Sequence, residues 1–124
     1  MIERIGGEEQ VRRLVNAFYD LIESLPQGRA ILEKHLQGQG LAHVRPEQFD
    51  FLSGFFGGRR YYQERHGHMN LREIHAHVEI RHQDAEDWLA VMGLAMARTD
   101  MPDSEAAEIL ITFRRAALML VNTA

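Results

Sequence analysis

Five of the seven histidines lie between positions 66 and 82, a high local density of side chains that bind metals or transfer protons. Two pairs have a single residue between their members, His66 with His68 and His75 with His77. Zinc in proteins takes about four ligands in a tetrahedron, so the imidazoles would have to converge on one point. On a helix, two residues turn the side-chain direction by about 200°, and the rings of His75 and His77 would diverge. The spacing therefore favours one functional histidine in the second pair, with a zinc site as the alternative.

His75 is surrounded in the sequence by the residue types that an axial ligand of haem iron needs. Haem requires one good iron ligand, an apolar slot for its rings, and basic or polar groups beside its propionates. Arg72 lies one helical turn before His75, and Ile80 is an apolar neighbour beyond it. Apolar residues from the rest of the chain are available to wall the slot: Phe18, Phe51, Leu52, Phe55, Trp88 and Met92. A cofactor-free helical interaction domain is a third hypothesis for the same sequence.

The element that precedes these histidines is predicted to be an amphipathic helix. After Gly6–Gly7 and up to about Leu25, apolar residues recur at three- and four-residue steps, which defines a single buried face. Pro26 ends this helix, because proline cannot continue the hydrogen-bond ladder. A short helical piece is predicted over residues 29–35.

The middle of the chain alternates between a strong helix and segments with little helical pattern. Glycines in residues 37–44 predict a loop, and Pro46 suits the first turn of the next helix. The Gly57–Gly58 pair ends that helix. Residues 59–82 are polar, and we expect a loop there with one short helix at about 70–76. So long a segment with few apolar residues is uncommon in a small domain, and a large apolar cofactor would fill the space that it leaves.

The last part of the chain predicts two further helices. Asp84 is suited to cap a helix that runs from about 85 to 99, and Pro102 lies near the start of the final helix. No window alternates apolar and polar residues with the two-residue period of a strand. The sequence therefore predicts an all-α fold.

The length and composition of the chain argue against several classes of function. The 124 residues suit one domain, 1–124, and the net charge of −4 with scattered basic residues argues against nucleic-acid binding. No apolar run approaches the roughly 18–20 residues of a membrane helix, so no membrane partner is expected. There are no cysteines, which excludes disulfides and thiolate metal sites. With no export signal in the first residues, we expect a cytoplasmic protein.

Taken together, the order and spacing of four motifs resemble those of the truncated haemoglobins, and most closely their group II branch. The resemblance covers most of the chain. It is carried by the segments "IGGEEQVRRLVNAFYDLIESLP", "FDFLSGFFGG", "YYQERHGHMNLREIH" and "QDAEDWLAVM". The resemblance implies a single shortened globin domain, with two helices stacked over two around haem b.

The resemblance also implies roles on the distal side of the haem, where the ligand binds. Tyr19 and Trp88 match residues that donate hydrogen bonds to the bound gas, and Val44 and Gln48 match two distal positions one helical turn apart. Group II members usually have an apolar residue where this chain has Gln48, which implies a more polar distal pocket. The residue at the corner before the distal helix is His35 or Leu36.

On the opposite side, the resemblance makes His75 the proximal iron ligand, with His77 as a bystander. Side chains from the third motif are implied to contact the cofactor beside Arg72; they are Tyr62, Arg65 and His68.

The implied function is binding of O2, NO, CO or similar small ligands. Donors aimed at bound O2 stabilise the negative charge that it gains from iron, and both a tyrosine hydroxyl and an indole N–H donate. Conversion of NO to nitrate and peroxidase-like turnover are implied redox activities, and either would need an electron donor that the sequence does not name. A homodimer is also compatible with the resemblance.

Overall fold

The computed structural model describes residues 1–29, 31–33, 41–75 and 78–122, and its regular secondary-structure elements there are helices joined by turns. No strand occurs in these ranges, so the all-α prediction is confirmed for them. The elements are α1 (Ile2–Ile5), α2 (Gly7–Ser24), a 3-10 turn (Pro26–Gly28), α3 (Leu41–Phe55), α4 (Tyr61–His66), α5 (Leu71–His75), α6 (His82–Arg98) and α7 (Asp103–Leu120). Residues 29 and 31–33 are also helical, as expected from the sequence. His35, Leu36 and His77 lie outside the described ranges.

Helix α2 forms the centre of the fold because its apolar residues share one face. Gly6 separates it from α1 with a φ of +113°, a left-handed conformation that glycine adopts without strain. Eight of its side chains are buried: Val11, Leu14, Val15, Ala17, Phe18, Tyr19, Leu21 and Ile22. The helix ends at Ser24, and extended backbone at Leu25 leads into Pro26. The predicted bounds are therefore confirmed to within one residue.

The other long helices pack around α2, either directly or through a neighbour. Helix α2 packs against α3 and against α6, and α6 packs in turn against α7. The core between them is apolar, and its members from α3, α6 and α7 include Phe49, Leu52, Leu89, Val91, Met92, Met96, Ile109 and Phe113. Among the described helices, none has both the length and the apolar character that crossing a membrane requires.

The start of α3 corrects the prediction for residues 41–44. These residues are helical rather than a loop, and Pro46 lies inside the helix instead of in its first turn. Proline has no N–H to donate and its ring crowds the preceding turn, so this position weakens the helix locally. Beside the proline, Arg45 contacts the neighbouring helix: its guanidinium donates to Asp20 Oδ1 at 3.0 Å and to Asn16 on α2.

Helix α4 corrects the prediction of a loop after Gly58. Tyr62 on this helix is buried, and Arg65 and His66 contact carboxylates of α3. Gly67 ends the helix with a φ of +79°, where a side chain would be strained. The short helix expected at about 70–76 is present as α5.

Helix α6 begins at His82, three residues before the predicted start. Asp84 still caps it, but from inside the first turn, where its Oδ2 accepts the backbone N–H of Arg81 at 2.8 Å. The last helix follows Pro102, as the sequence predicts.

Candidate functional site

Both predicted donors lie in one group of aromatic rings. The ring of Phe18 meets that of Tyr19 edge to face at 5.0 Å and that of Trp88 at 5.4 Å between centroids. Aromatic pairs at this separation stabilise one another beyond the area that they bury. Phe18 is fully buried, so it fixes the positions of Tyr19 on α2 and Trp88 on α6 relative to each other.

Phe113 on α7 extends this group toward α3. Its ring lies edge to face with Trp88 at 5.3 Å and beside Phe55 at 5.2 Å. From the sequence alone, Phe113 is assigned no part in the site. The contact joins residues 25 positions apart, and no local pattern in the sequence reports it.

The rings continue from Phe55 to the short helix α4. Phe55 lies 6.3 Å from Phe51, which meets Tyr62 edge to face at 5.6 Å. Tyr62 in turn lies 6.2 Å from the ring of His68. The structure therefore joins seven aromatic residues and one histidine in a continuous series that starts at Tyr19 and ends at His68.

Apolar side chains along this series keep part of their surface uncovered. Four residues pack on the core yet are only partly buried: Val44, Phe51, Phe55 and Trp88. Three other residues that were assigned to the slot are buried in the core, namely Phe18, Leu52 and Met92. A flat apolar group fits the first set, since it would cover faces that the protein itself leaves open. The buried set packs in the core beneath these partly open side chains.

The residues of α3 that the resemblance assigns to the distal side, with two aromatic neighbours, share one face of the helix. Val44, Gln48, Phe51 and Phe55 follow one another at four-, three- and four-residue steps, which places them on the same side. Gln48 is half-buried, and its amide has no hydrogen-bond partner within the described part of the chain. A half-buried amide on an apolar face is available to a ligand that reaches it.

The environment of Tyr19 keeps its hydroxyl protonated. Tyr19 is 1% exposed, and this burial raises the pKa of its hydroxyl above the ordinary value, because the charged form would be poorly solvated. The nearby charge of Arg45 opposes part of that rise. At neutral pH the hydroxyl is therefore a hydrogen-bond donor.

His75, which the resemblance makes the proximal iron ligand, ends α5 and is half-buried. Its carbonyl accepts the N–H of Val78 at 3.1 Å. Asn122, just past α7, holds the segment that follows. Its Nδ2 donates to the carbonyl of Val78 at 2.9 Å, its Oδ1 accepts the N–H of Ile80 at 2.8 Å, and its own N–H donates to the Ile80 carbonyl at 2.9 Å. Sequence reasoning missed Asn122, because a lone polar residue after a helix carries no signal of these contacts.

The polar residues assigned to the cofactor have different surroundings. Arg65 forms ion pairs with Asp50 and, at 2.7 Å, with Glu47 of α3. Glu47 also contacts His66 Nε2 at 2.9 Å. These pairs hold α4 against α3 and leave Arg65 facing carboxylates of the protein.

Arg72 and His68 lie nearer to His75 in the sequence. Arg72 is exposed, and His68 Nδ1 accepts the N–H of Asn70 at 3.1 Å. Within the described residues, which exclude His77, no three or more histidines, aspartates or glutamates come together as a metal site. The zinc hypothesis therefore gains no support from this part of the chain.

Comparisons with known proteins identify the family of the chain and agree with its fold. The family model for bacterial-like globins matches residues 1–122. A group 2 truncated hemoglobin of Bacillus subtilis (strain 168), YjbI, is 34% identical over 104 residues, which are 84% of this chain and 74% of that protein.

Solved structures show the same likeness over nearly the whole chain. The hemoglobin of the thermophilic phototrophic bacterium Chloroflexus aurantiacus is 34% identical, with a TM-score of 0.83, over 98% of this chain and 96% of its own. The group II 2-on-2 hemoglobin of the plant pathogen Agrobacterium tumefaciens is 31% identical, with a TM-score of 0.88, over 98% and 93%. The globin family implies a haem iron cofactor and small diatomic ligands such as O2. The chain belongs to the bacterial-like globins and, among them, to the truncated haemoglobins with the two-over-two fold, most similar to group II.

Proposed function

We propose that this globin holds haem b between α3, α5 and α6, with His75 as the axial iron ligand, and binds O2 on the side of Tyr19 and Trp88. When bound, haem iron supplies reversible binding of O2 and one-electron redox chemistry. The observation that carries the proposal is the ring series from Tyr19 to His68, whose members Phe51, Phe55 and Trp88 keep uncovered apolar faces. These faces would receive the rings of the cofactor.

The distal side would act by hydrogen bonding. The buried, protonated hydroxyl of Tyr19 and the indole N–H of Trp88 are donors, and the half-buried amide of Gln48 adds a third. In a site that excludes water, fixed donors stabilise developing negative charge more strongly than they do in solution. Val44 would limit the space above the ligand, and His35 is proposed for the neighbouring corner.

The residues proposed to contact the cofactor form an apolar set and a polar set. The apolar set walls or supports the slot and comprises Phe18, Phe51, Leu52, Phe55, Ile80 and Met92. The polar set would meet the propionates and comprises Tyr62, Arg65, His68 and Arg72. Because Arg65 already pairs with Glu47 and Asp50, a propionate would share it with them.

The proposed redox activity is conversion of NO to nitrate, with peroxidase-like turnover as the second candidate. One O2, one NO and one electron give one nitrate, so every turnover needs an external electron donor. The polar distal side supports this proposal, because donors retain bound O2 until NO arrives. NO and CO are proposed as further ligands, with the cytoplasm as location and a homodimer as assembly.

Absorption spectroscopy of the purified protein tests the cofactor. The proposal predicts an intense Soret band at about 400–430 nm, as haem b proteins show. A colourless protein that carries stoichiometric zinc would establish the histidine-based zinc alternative instead. A colourless, metal-free and folded protein would favour the helical interaction domain.

The dissociation rate of O2 tests the distal donors. Tyr19→Phe removes one donor and should speed dissociation by about five- to thirtyfold, the effect of losing roughly 1–2 kcal/mol. Tyr61→Phe is the matched control, because the hydroxyl of Tyr61 donates to Glu8 Oε1 at 2.8 Å, outside the pocket. The control should leave the rate unchanged. Equal rates for wild type and Tyr19→Phe would mean that Tyr19 does not meet the ligand.

A further inference from the structure

Arg45 connects the two helices that carry the distal residues. It lies on α3, next to Val44 and three residues before Gln48. Its Nη2 donates to Asp20 Oδ1 at 3.0 Å, and its Nη1 donates to the backbone and side-chain oxygens of Asn16, both at 3.3 Å. One guanidinium therefore ties the first turns of α3 to three acceptors on α2.

The same guanidinium lies close to the ring of Tyr19. Its Cζ is 5.7 Å from the ring centroid, within the range in which a cation interacts with an aromatic face. Asn16 and Asp20 flank Tyr19 in the sequence, so the contacts of Arg45 surround this residue on α2. The side chain of Arg45 is 25% exposed, which limits screening of its charge by water.

We propose that Arg45 is a positioning residue for the distal donors: it fixes Tyr19 relative to Val44 and Gln48, and its charge makes the Tyr19 hydroxyl a stronger donor to bound ligand. This inference rests on the proposed function, in which Tyr19 meets the ligand. Nothing local in the sequence marks Arg45, because its partners, which include the Glu23 carboxylate at 3.8 Å, lie 22 to 29 positions away.

The electrostatic part of this role has a simple cause. A positive charge beside a phenol stabilises electron density that moves toward the oxygen, so the O–H becomes more acidic and donates more strongly. In this protein the charge of Arg45 lowers the pKa of Tyr19 against the larger raising effect of burial. The hydroxyl thus stays protonated while its donor strength increases.

The test compares O2 dissociation in two substitutions of Arg45. Arg45→Met removes the charge and the forked hydrogen bonds, and it should speed dissociation by roughly two- to fivefold. Arg45→Lys keeps the charge but loses the fork, and its rate should fall between those of wild type and Arg45→Met. Arg12→Met is the matched control: Arg12 also joins α2 to α3 over a ring, 4.1 Å from the centroid of Phe49, but away from Tyr19. The control should retain the wild-type rate.

A double-mutant cycle shows whether Arg45 acts through Tyr19. In a Tyr19→Phe background, Arg45→Met should have no further effect, since the hydroxyl on which the charge acts is gone. An undiminished effect in that background would overturn the proposal, and so would a wild-type rate for Arg45→Met. If Tyr19→Phe alone leaves the rate unchanged, the donor role assigned under Proposed function fails and the role of Arg45 fails with it.

A second readout does not depend on ligand kinetics. The 13Cζ chemical shift of Tyr19, measured by NMR with 13C-labelled tyrosine, responds to the charge and hydrogen bonding of the phenol. Arg45→Met should shift this signal, Arg45→Lys should restore most of the wild-type value, and Arg12→Met should leave it in place. An unchanged Tyr19 signal in a folded Arg45→Met protein would contradict the proposal.

Discussion

The two sides of the proposed pocket are held by different forces. On the distal side, Tyr19 and its neighbours lie on long helices, and apolar side chains such as Leu14 and Met92 are completely buried beneath them. On the proximal side, residues 59–75 contain the two short helices α4 and α5, and most of the side chains described there are exposed. Ion pairs and hydrogen bonds replace the core there, as with Arg65 and Asn122. Substitutions that remove apolar volume should therefore lower stability most on the distal side. Substitutions that remove polar groups should have their main effect on the proximal side.

The largest expected effect is on the buried packing of α2. Leu14→Ala should lower the free energy of unfolding by about 2–5 kcal/mol, because it removes apolar contacts and leaves a cavity. Leu94→Ala is the control: Leu94 is 48% exposed, and its change should stay within about 0.5 kcal/mol. Denaturant unfolding of both variants measures the difference. Similar losses in the two would mean that α2 does not anchor the distal side.

The ring of Phe113 offers a sharper test of the distal packing. Phe113→Leu should lower the free energy of unfolding by about 1–2 kcal/mol and change the environment of Trp88, which it contacts edge to face. Trp88 is the single tryptophan, so its fluorescence or the 19F signal of a fluorinated analogue reports on this site alone.

Phe49→Leu is the control for Phe113. Phe49 is equally part of the core, but its ring contacts are with Tyr61 and Arg12. It should lower stability and leave the tryptophan signal unchanged. An unperturbed Trp88 in the Phe113 variant would show that α7 does not position the indole.

A smaller and more local effect is expected on the proximal side. Asn122→Ala removes two side-chain hydrogen bonds to the segment after His75 and should weaken its local protection by about 1 kcal/mol. Hydrogen exchange at the Ile80 amide should then be about fivefold faster. Gln83→Ala loses an exposed bond to Asp87 Oδ1 and should leave Ile80 unaffected. An unchanged exchange rate at Ile80 in Asn122→Ala would show that Asn122 does not stabilise the segment after His75.

The smallest effect concerns a surface ion pair beside α4. Arg59 donates to both carboxylate oxygens of Glu64, and this lowers the pKa of Glu64 below its ordinary value. A lowered pKa in the folded state contributes stability above the ordinary glutamate pKa, and that contribution is lost as the pH falls through the lowered value. In Glu64→Gln, the free energy of unfolding should therefore fall slightly less steeply as the pH is lowered. A steeper fall in the stability of the variant at acid pH would contradict the stabilising role assigned to the Glu64 carboxylate.

The sequence predicts the long helices well and the connections poorly. Apolar periodicity and Pro26 specify α2, since both signals are local. Proline at position 46 also gives a local signal, but it lies inside α3, which spans Leu41–Phe55. The contacts of Arg45 with α2 join residues that are distant in the sequence, so no local pattern reports them. Helix α4 depends on packing of Tyr62 and on ion pairs with α3, which no pattern within residues 59–66 contains.

The same distinction holds for the site. Histidine, tyrosine and tryptophan at family spacing identify His75, Tyr19 and Trp88 as candidates by their chemistry. Phe113, Arg45 and Asn122 support those candidates through contacts with residues 25 or more positions away, and their residue types are common on helices. Such supporting residues emerge only when the helices are packed.

The axial role of His75 is tested most directly by the haem content of His75→Ala, with His77→Ala as the neighbouring control. The Soret absorbance per protein of each variant is measured after purification with and without added imidazole. We expect that His75→Ala loses most of its haem, that imidazole restores it by supplying the missing nitrogen, and that His77→Ala matches the wild type. Full haem retention in His75→Ala, or equal loss from both variants, would contradict the assignment of His75 as the iron ligand.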